Sequence, residues 1–178
     1  MRIDVERLYL RELTVDDCSE EYVSWLSDPN VNRFLETRHA VQDAASVRSF
    51  VERMAAKEDE FLYGIFLQES ERHVGNIKVG PIRREHSLAD VSLLLGARDV
   101  WGQGIATEAI RAISIHAFTT LGLAKLSASM YSANEGSRRA FIKAGFADEG
   151  LRRAHYVLDG ERCDLREVGL LACDLGIK

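Results

Sequence analysis

Apolar and polar positions alternate near the start of the chain. Leu8, Leu10 and Leu13, flanked by Arg7, Arg11 and Glu12, predict a half-buried strand. Thr14-Val15-Asp16-Asp17 offers a helix N-cap. Tyr22, Val23, Trp25 and Leu26 follow at helical spacing until Asp28-Pro29-Asn30 stops the helix. Val47, Phe50, Val51 and Met54 then recur at the i, i+3, i+4, i+7 positions of an amphipathic helix. Three strand-like stretches come next. Residues 61–67 are rich in aromatic and β-branched side chains, 73–79 alternate imperfectly, and 89–95 end in a continuous apolar run that reads as buried on both faces. A long helix is predicted from about 104 to 121, with Ile105, Ala109, Ala112, Ile113, His116, Ala117 and Phe118 on its inner side. Residues 125–131 form another strand, and Asn134 caps a shorter helix that stops at Gly145. The stretch 146–172 reads as strands joined by a turn at Asp159-Gly160.

An antiparallel meander that feeds a crossover helix and then a strand implies an α/β (α+β) fold. Its sheet should be mixed, mostly antiparallel and twisted, with about seven strands and helices on both faces. Only Pro29 and Pro81 interrupt the chain, and no linker or repeat divides it, so residues 1–178 are expected to form a single domain.

The composition, 46% apolar and 29% charged, is that of a globular chain. With 23 basic and 28 acidic residues the net charge is −5, which argues against bulk nucleic-acid or anionic-membrane binding. A local basic pocket for a phosphate is compatible with that balance. The cysteines, Cys18, Cys163 and Cys173, are odd in number and none is spaced as CxxC. A disulfide framework or a zinc site is therefore not expected, and reduced thiols in a cytoplasmic protein are. No apolar run reaches the roughly 18 residues of a membrane span, and the N-terminus lacks the apolar core of a signal peptide.

Most of the chemical information sits in Val100-Trp101-Gly102-Gln103-Gly104-Ile105-Ala106-Thr107, between a buried strand and the long helix. Gly102 and Gly104 remove Cβ atoms where the backbone must turn and approach a ligand. The first free N–H groups of the helix then converge on one spot, where the dipole favours negative charge; the pyrophosphate of a coenzyme suits it. The segment is neither the dinucleotide GxGxxG pattern, because Thr107 stands where the third Gly belongs, nor a P-loop. By spacing alone, an ordinary strand-to-helix turn stays open as the alternative reading of the glycines.

Two later segments change the balance: Tyr131-Ser132-Ala133-Asn134-Glu135-Gly136-Ser137 and Phe141-Ile142-Lys143-Ala144-Gly145-Phe146. Together with the glycine loop they resemble the GNAT family, the Gcn5-related N-acetyltransferases that use acetyl-CoA. WGQGIATEA and NEGSRRAFIKAGF are most similar to its RimJ/RimL-like branch, over nearly the whole chain. The family's pyrophosphate motif, Gln/Arg-x-x-Gly-x-Gly/Ala, falls on residues 101–106, with Trp101 replacing the leading Gln/Arg.

The resemblance implies an acetyl-CoA site made of Gly102, Gln103, Gly104, Ile105, Ala106 and Thr107, with Asn134 and Ser137 near the pantetheine. The acetyl carbonyl is expected against backbone amides at Leu94, Leu95 and Gly96. It also implies direct attack of a primary amine on the thioester in a ternary complex. That reaction needs a neutral amine, a polarised carbonyl and a proton for the thiolate. Many members supply the proton from a tyrosine seven residues after the capping Asn; here that position is Phe141. Ser137 is the nearest hydroxyl, and reads either as a donor to sulfur or as a first-turn helix serine. Asp90 is the best acidic candidate for the base, since burial in an apolar cleft would raise its pKa; the alternative is an edge residue facing water. Glu149 and His155 are weaker candidates.

Acceptor contacts are expected from the early helices and the C-terminal strands, with Trp25, Arg38 and His155 as candidates. Arg33, Arg38, Arg83 and Arg84 could meet a diphosphate if the acceptor were an amino-sugar nucleotide, and read at least as well as a solvated basic surface. A protein N-terminal amine and an antibiotic amine are equally compatible. A different class stays open too: an acetyl-CoA-binding sensor or scaffold of the same fold without turnover. No metal, nucleic-acid or membrane partner is expected. Val168-Gly169-Leu170-Leu171 fits either a dimer contact or core, so a monomer and a homodimer are both open.

Overall fold

The computed structural model describes residues 1–177. One sheet carries every strand: β1 (Arg2–Asp4), β2 (Leu8–Glu12), β3 (Phe61–Leu67), β4 (His73–Arg83), β5 (Leu88–Leu95), β6 (Lys125–Tyr131), β7 (Ala147–Leu158) and β8 (Glu161–Leu171). Their order is β1-β2-β3-β4-β5-β6-β8-β7. All pairs are antiparallel except β5 with β6, which flank the crossover helix in sequence and run parallel. The helices are α1 (Glu20–Ser27), α2 (Pro29–Asn32), α3 (Ala44–Ala55), α4 (Ile105–Thr119) and α5 (Glu135–Ala144).

Strand parity shows that the helices cover both faces. On β3, Tyr63 turns to α4, where its hydroxyl lies 3.4 Å from His116 Nε2. Phe66 turns the other way and stacks on His73, which Tyr22 and Trp25 of α1 also touch. Residues of even and odd number lie on opposite faces of a strand, so α1 and α4 sandwich the sheet. α4 is the central core helix, with Ala109, Ile110, Ile113 and Ala117 fully buried. Each isoleucine contributes about 1.5–3 kcal/mol by leaving water. The positions read as its inner side are all buried, His116 included, and burial holds the His116 pKa below its usual value.

Several expectations are corrected. The sheet has eight strands, because Arg2–Asp4 pairs with β2 as an extra edge strand too short to leave a periodic signal. Thr14 caps only a 3-10 turn over Val15–Asp17; the N-cap of α1 is Ser19, whose hydroxyl accepts from the Tyr22 N–H. Asp28-Pro29-Asn30 ends α1 and also starts α2, with the Asp28 carboxylate as cap and Pro29 in the first turn. Phe50, placed on the buried face of α3, is 37% exposed. β8 lies inside the sheet between β6 and β7, so Val168 and Leu170 are core.

Candidate active site

β5 and β6 pair only through Leu88↔Lys125, Ala89↔Leu126 and Asp90↔Ser127. Beyond Asp90 the strands diverge, and residues 91–95 of β5 border an open wedge. In an extended residue the N–H and C=O point to the same side. The Leu95 carbonyl accepts from Trp101 Nε1 at 2.9 Å, away from β4, so the Leu95 N–H faces the wedge, and by alternation so does Leu93. Gly96 N–H is spent on the Val74 carbonyl at 2.9 Å. Of the amides assigned to the acetyl carbonyl, Leu95 therefore remains available, while Leu94 and Gly96 face β4. Gly96 has a different role: a Cβ there would overlap the Trp25 indole.

The glycine loop closes the wide end of the wedge. Gly102 and Gly104 both have positive φ, +75° and +86°, which favours glycine on conformational grounds alone. A Cβ at Gly102 would meet nothing within 4 Å, so that side of the loop is open. Gly104 is the N-cap of α4 but provides no side-chain acceptor, which leaves the first-turn N–H groups of Ile105, Ala106 and Thr107 pointing outward. Trp101, which stands where the family motif has Gln or Arg, ties the loop to the end of β5 through its Nε1. Gln103 is turned back: its Nε2 donates to the Asp99 carbonyl at 2.7 Å. Its own carbonyl accepts from Arg7 Nη1 at 2.8 Å, and Arg7 Nε in turn donates to Glu108 of α4 at 2.8 Å.

On α5, the Asn134 Oδ1 accepts from the Ser137 N–H at 3.2 Å, a helix cap that leaves its Nδ2 free to face a ligand. Ser137 is half-buried in the same first turn. Phe141 is buried against Phe146 and carries no proton to give.

Other assigned residues fall elsewhere. Asp90 is ion-paired to Arg83 at 3.0 Å with its side chain 44% exposed, so it does not lie in an apolar cleft. Trp25 is core, 5% exposed, and packs on Tyr22 and His73. His155 is exposed on β7 against Tyr156. Glu149, also on β7, is paired to Lys125 at 2.7 Å. The four arginines do not converge. Arg33 pairs with Asp159 at 2.8 Å, and Arg83 sits opposite Leu88 at the closed end of the wedge. Arg84 next to it bonds the Glu58 carbonyl. Arg38 bonds Tyr131, six residues along β6 from the Lys125 that faces Leu88, or about 20 Å away.

A cavity of about 590 Å³ opens beside the tip of β6. Glu36, Arg38, His39, Tyr131, Tyr156 and Asp159 line it. Arg38 Nη2 donates to the Tyr131 hydroxyl at 2.8 Å, and that hydroxyl donates to Glu36 Oε1. Burial, and then the bond to Glu36, push the Tyr131 pKa up, so the phenol stays protonated at neutral pH. Tyr131 has the odd parity of the α1 face, whereas Met130 and Ala128 point into the core. Of this group the sequence suggested only Arg38. Glu36 and Tyr131 lie 95 residues apart and carry no joint signal.

Residues 7–147 match the family model described as the acetyltransferase (GNAT) domain. The chain belongs to the GNAT acetyltransferase family. The uncharacterized N-acetyltransferase YoaA of Bacillus subtilis (strain 168) is 26% identical over 164 residues, 91% of this chain and 92% of the relative. A GNAT-family acetyltransferase structure from Bacillus anthracis superposes with a TM-score of 0.82 at 24% identity, covering 96% of this chain and 98% of that one. The spermidine N-acetyltransferase of Vibrio cholerae, in complex with CoA and spermine, gives 0.84 at 18% identity over 94% and 97% of the two chains. This GNAT chain is an N-acetyltransferase, and GNAT enzymes use acetyl-CoA. Among the described residues no helix is long and apolar enough to cross a membrane.

Proposed function

We propose that this GNAT enzyme binds acetyl-CoA across the wedge and transfers the acetyl group to a primary amine entering from the α1 face. The wedge beside the uncapped head of α4 carries this reading. Three first-turn amides and the helix dipole suit a pyrophosphate. The exposed edge of β5 suits a pantetheine arm lying beside it as an added strand. Leu95 N–H then donates to the acetyl carbonyl, polarising it, and the Asn134 Nδ2 meets a pantetheine amide. The acceptor's lone pair forms the C–N bond, the C–S bond breaks with its electrons on sulfur, and the nitrogen's proton leaves to solvent or a carboxylate. Ser137 donates to the departing thiolate in place of the tyrosine that Phe141 replaces. The likeness of WGQGIATEA and NEGSRRAFIKAGF to the RimJ/RimL-like branch supports a reading of the enzyme within that branch.

Substitution at Gly104 would confound strain with lost binding, because any side chain there is forced to positive φ. Ala106→Glu avoids this: glutamate is favourable in a first helical turn and sets a carboxylate among the amides. Calorimetric affinity for acetyl-CoA should fall at least tenfold with the melting temperature unchanged. Undiminished affinity in the folded variant refutes the site. Amine-dependent release of CoA by the wild type reports the turnover that a sensor lacks.

A further inference from the structure

We propose that Glu36 is the acceptor-selecting residue, and that it takes a second positive charge carried by the amine substrate. This rests on the acetyl-CoA reading above, since the cavity lies beside the tip of β6, the strand that forms one side of that wedge. Glu36 lines that cavity with its side chain 61% exposed, and only Oε1 is committed, to Tyr131 and, at 3.5 Å, to Arg38. Oε2 is left to meet a ligand.

The other cation of the group is not available to an anion. Arg38 is 14% exposed, and its terminal nitrogens donate to the Leu35 carbonyl at 2.7 Å, the Val157 carbonyl at 3.3 Å, Tyr131 and Glu36. It acts as a strut. Because a guanidinium only donates, its bond to the Tyr131 oxygen turns the phenolic proton onto Glu36 and holds that carboxylate in place. Beside it the rings of Tyr131 and Tyr156 lie with centroids 5.0 Å apart at 30°, a π surface that attracts a cation and the methylenes leading to it. Asp159 adds a second carboxylate at the rim, though Arg33 neutralises it, and His39 is exposed there. A carboxylate and two aromatic rings, with every nearby guanidinium engaged, recognise an ammonium and disfavour a phosphate or carboxylate.

The probes are 1,4-diaminobutane and 4-aminobutyrate, which share a reactive amine and a similar length and differ in the charge at the far end. Each is titrated calorimetrically into the full-length enzyme saturated with CoA, so no turnover is required. Wild type should bind the diamine at least tenfold tighter than the amino acid. Glu36→Gln, which keeps the shape and the bond to Tyr131, should abolish that preference while the affinity for CoA stays unchanged. Tyr131→Phe keeps the ring but releases Glu36, and should reduce the preference about threefold or more. Equal binding of the two probes by wild type, no binding of either, or an unchanged preference in Glu36→Gln overturns the proposal. Failure of acetyl-CoA itself to bind would instead strike the reading it rests on.

Discussion

Arg7 reaches across 96 residues of chain to bond the carbonyl of Gln103 at 2.8 Å, in the loop that turns into α4. The same guanidinium is anchored to Glu108, and a Cβ on Gly104 would come within 3.3 Å of its Nη2. The β1–β2 turn thus braces the glycine loop and sets a positive charge beside the amides proposed to hold a pyrophosphate. Arg7→Gln should weaken CoA binding about tenfold while leaving the KM of the amine alone. The ion pair is half exposed at Arg7, so its loss should cost under about 1 kcal/mol of stability. Calorimetry and denaturant unfolding separate the two effects.

Gly96 lies under Trp25 with no room for a methyl group. Gly96→Ala should destabilise the fold by about 1–3 kcal/mol, read as a lower urea midpoint at unchanged m. Pairing it with Trp25→Ala, which removes the overlapping ring, should cost less than the two single losses added together. Equal stability of Gly96→Ala and wild type would mean that the indole moves freely.

Asp17 caps the turn after β2 through the Thr14 N–H and pairs with Arg11 at 2.6 Å. Burial alone would raise its pKa, but the bonds from Arg11 and Thr14 and the Arg11 charge outweigh it and bring the value from 3.8 to about 2. The folded value lies below the unfolded one, so the stabilisation is complete above about pH 4 and is lost as pH falls towards 2. Discounted for partial exposure, it amounts to roughly 1–2 kcal/mol. Asp17→Asn should flatten the acid limb of the stability–pH curve in that window. A limb of unchanged slope would contradict the assignment.

Ser137 and Asn134 share one helical turn but should fail differently. Ser137→Ala should lower kcat about tenfold with CoA affinity intact, the signature of a lost donor to the leaving group. Asn134→Ala removes the cap of α5 and should cost about 1 kcal/mol of stability, with weaker CoA binding as well. Matching kinetic losses in both variants would point to a structural role alone.

Where one element's own periodicity or cap decides the outcome, residues near one another in sequence were enough. Phe61–Leu67, Lys125–Tyr131 and the helix from Asn134 to Gly145 came out at their observed bounds. The glycine loop, its strand-to-helix setting and the family were legible for the same reason, since a backbone anion site is built from consecutive residues. What only the tertiary structure decided depends on which way groups face and what they meet. Leu94, Leu95 and Gly96 look alike in sequence, yet the pleat and the Val74 carbonyl leave the middle one open to the wedge. Asp90 and Trp25 had the right residue types, but Arg83 pairs the first and Gly96 admits the second into the core. Glu36 and Tyr131 meet because a loop after α2 folds over the tip of β6. A hydrogen bond between residues 95 apart is set by packing, and no local pattern encodes it.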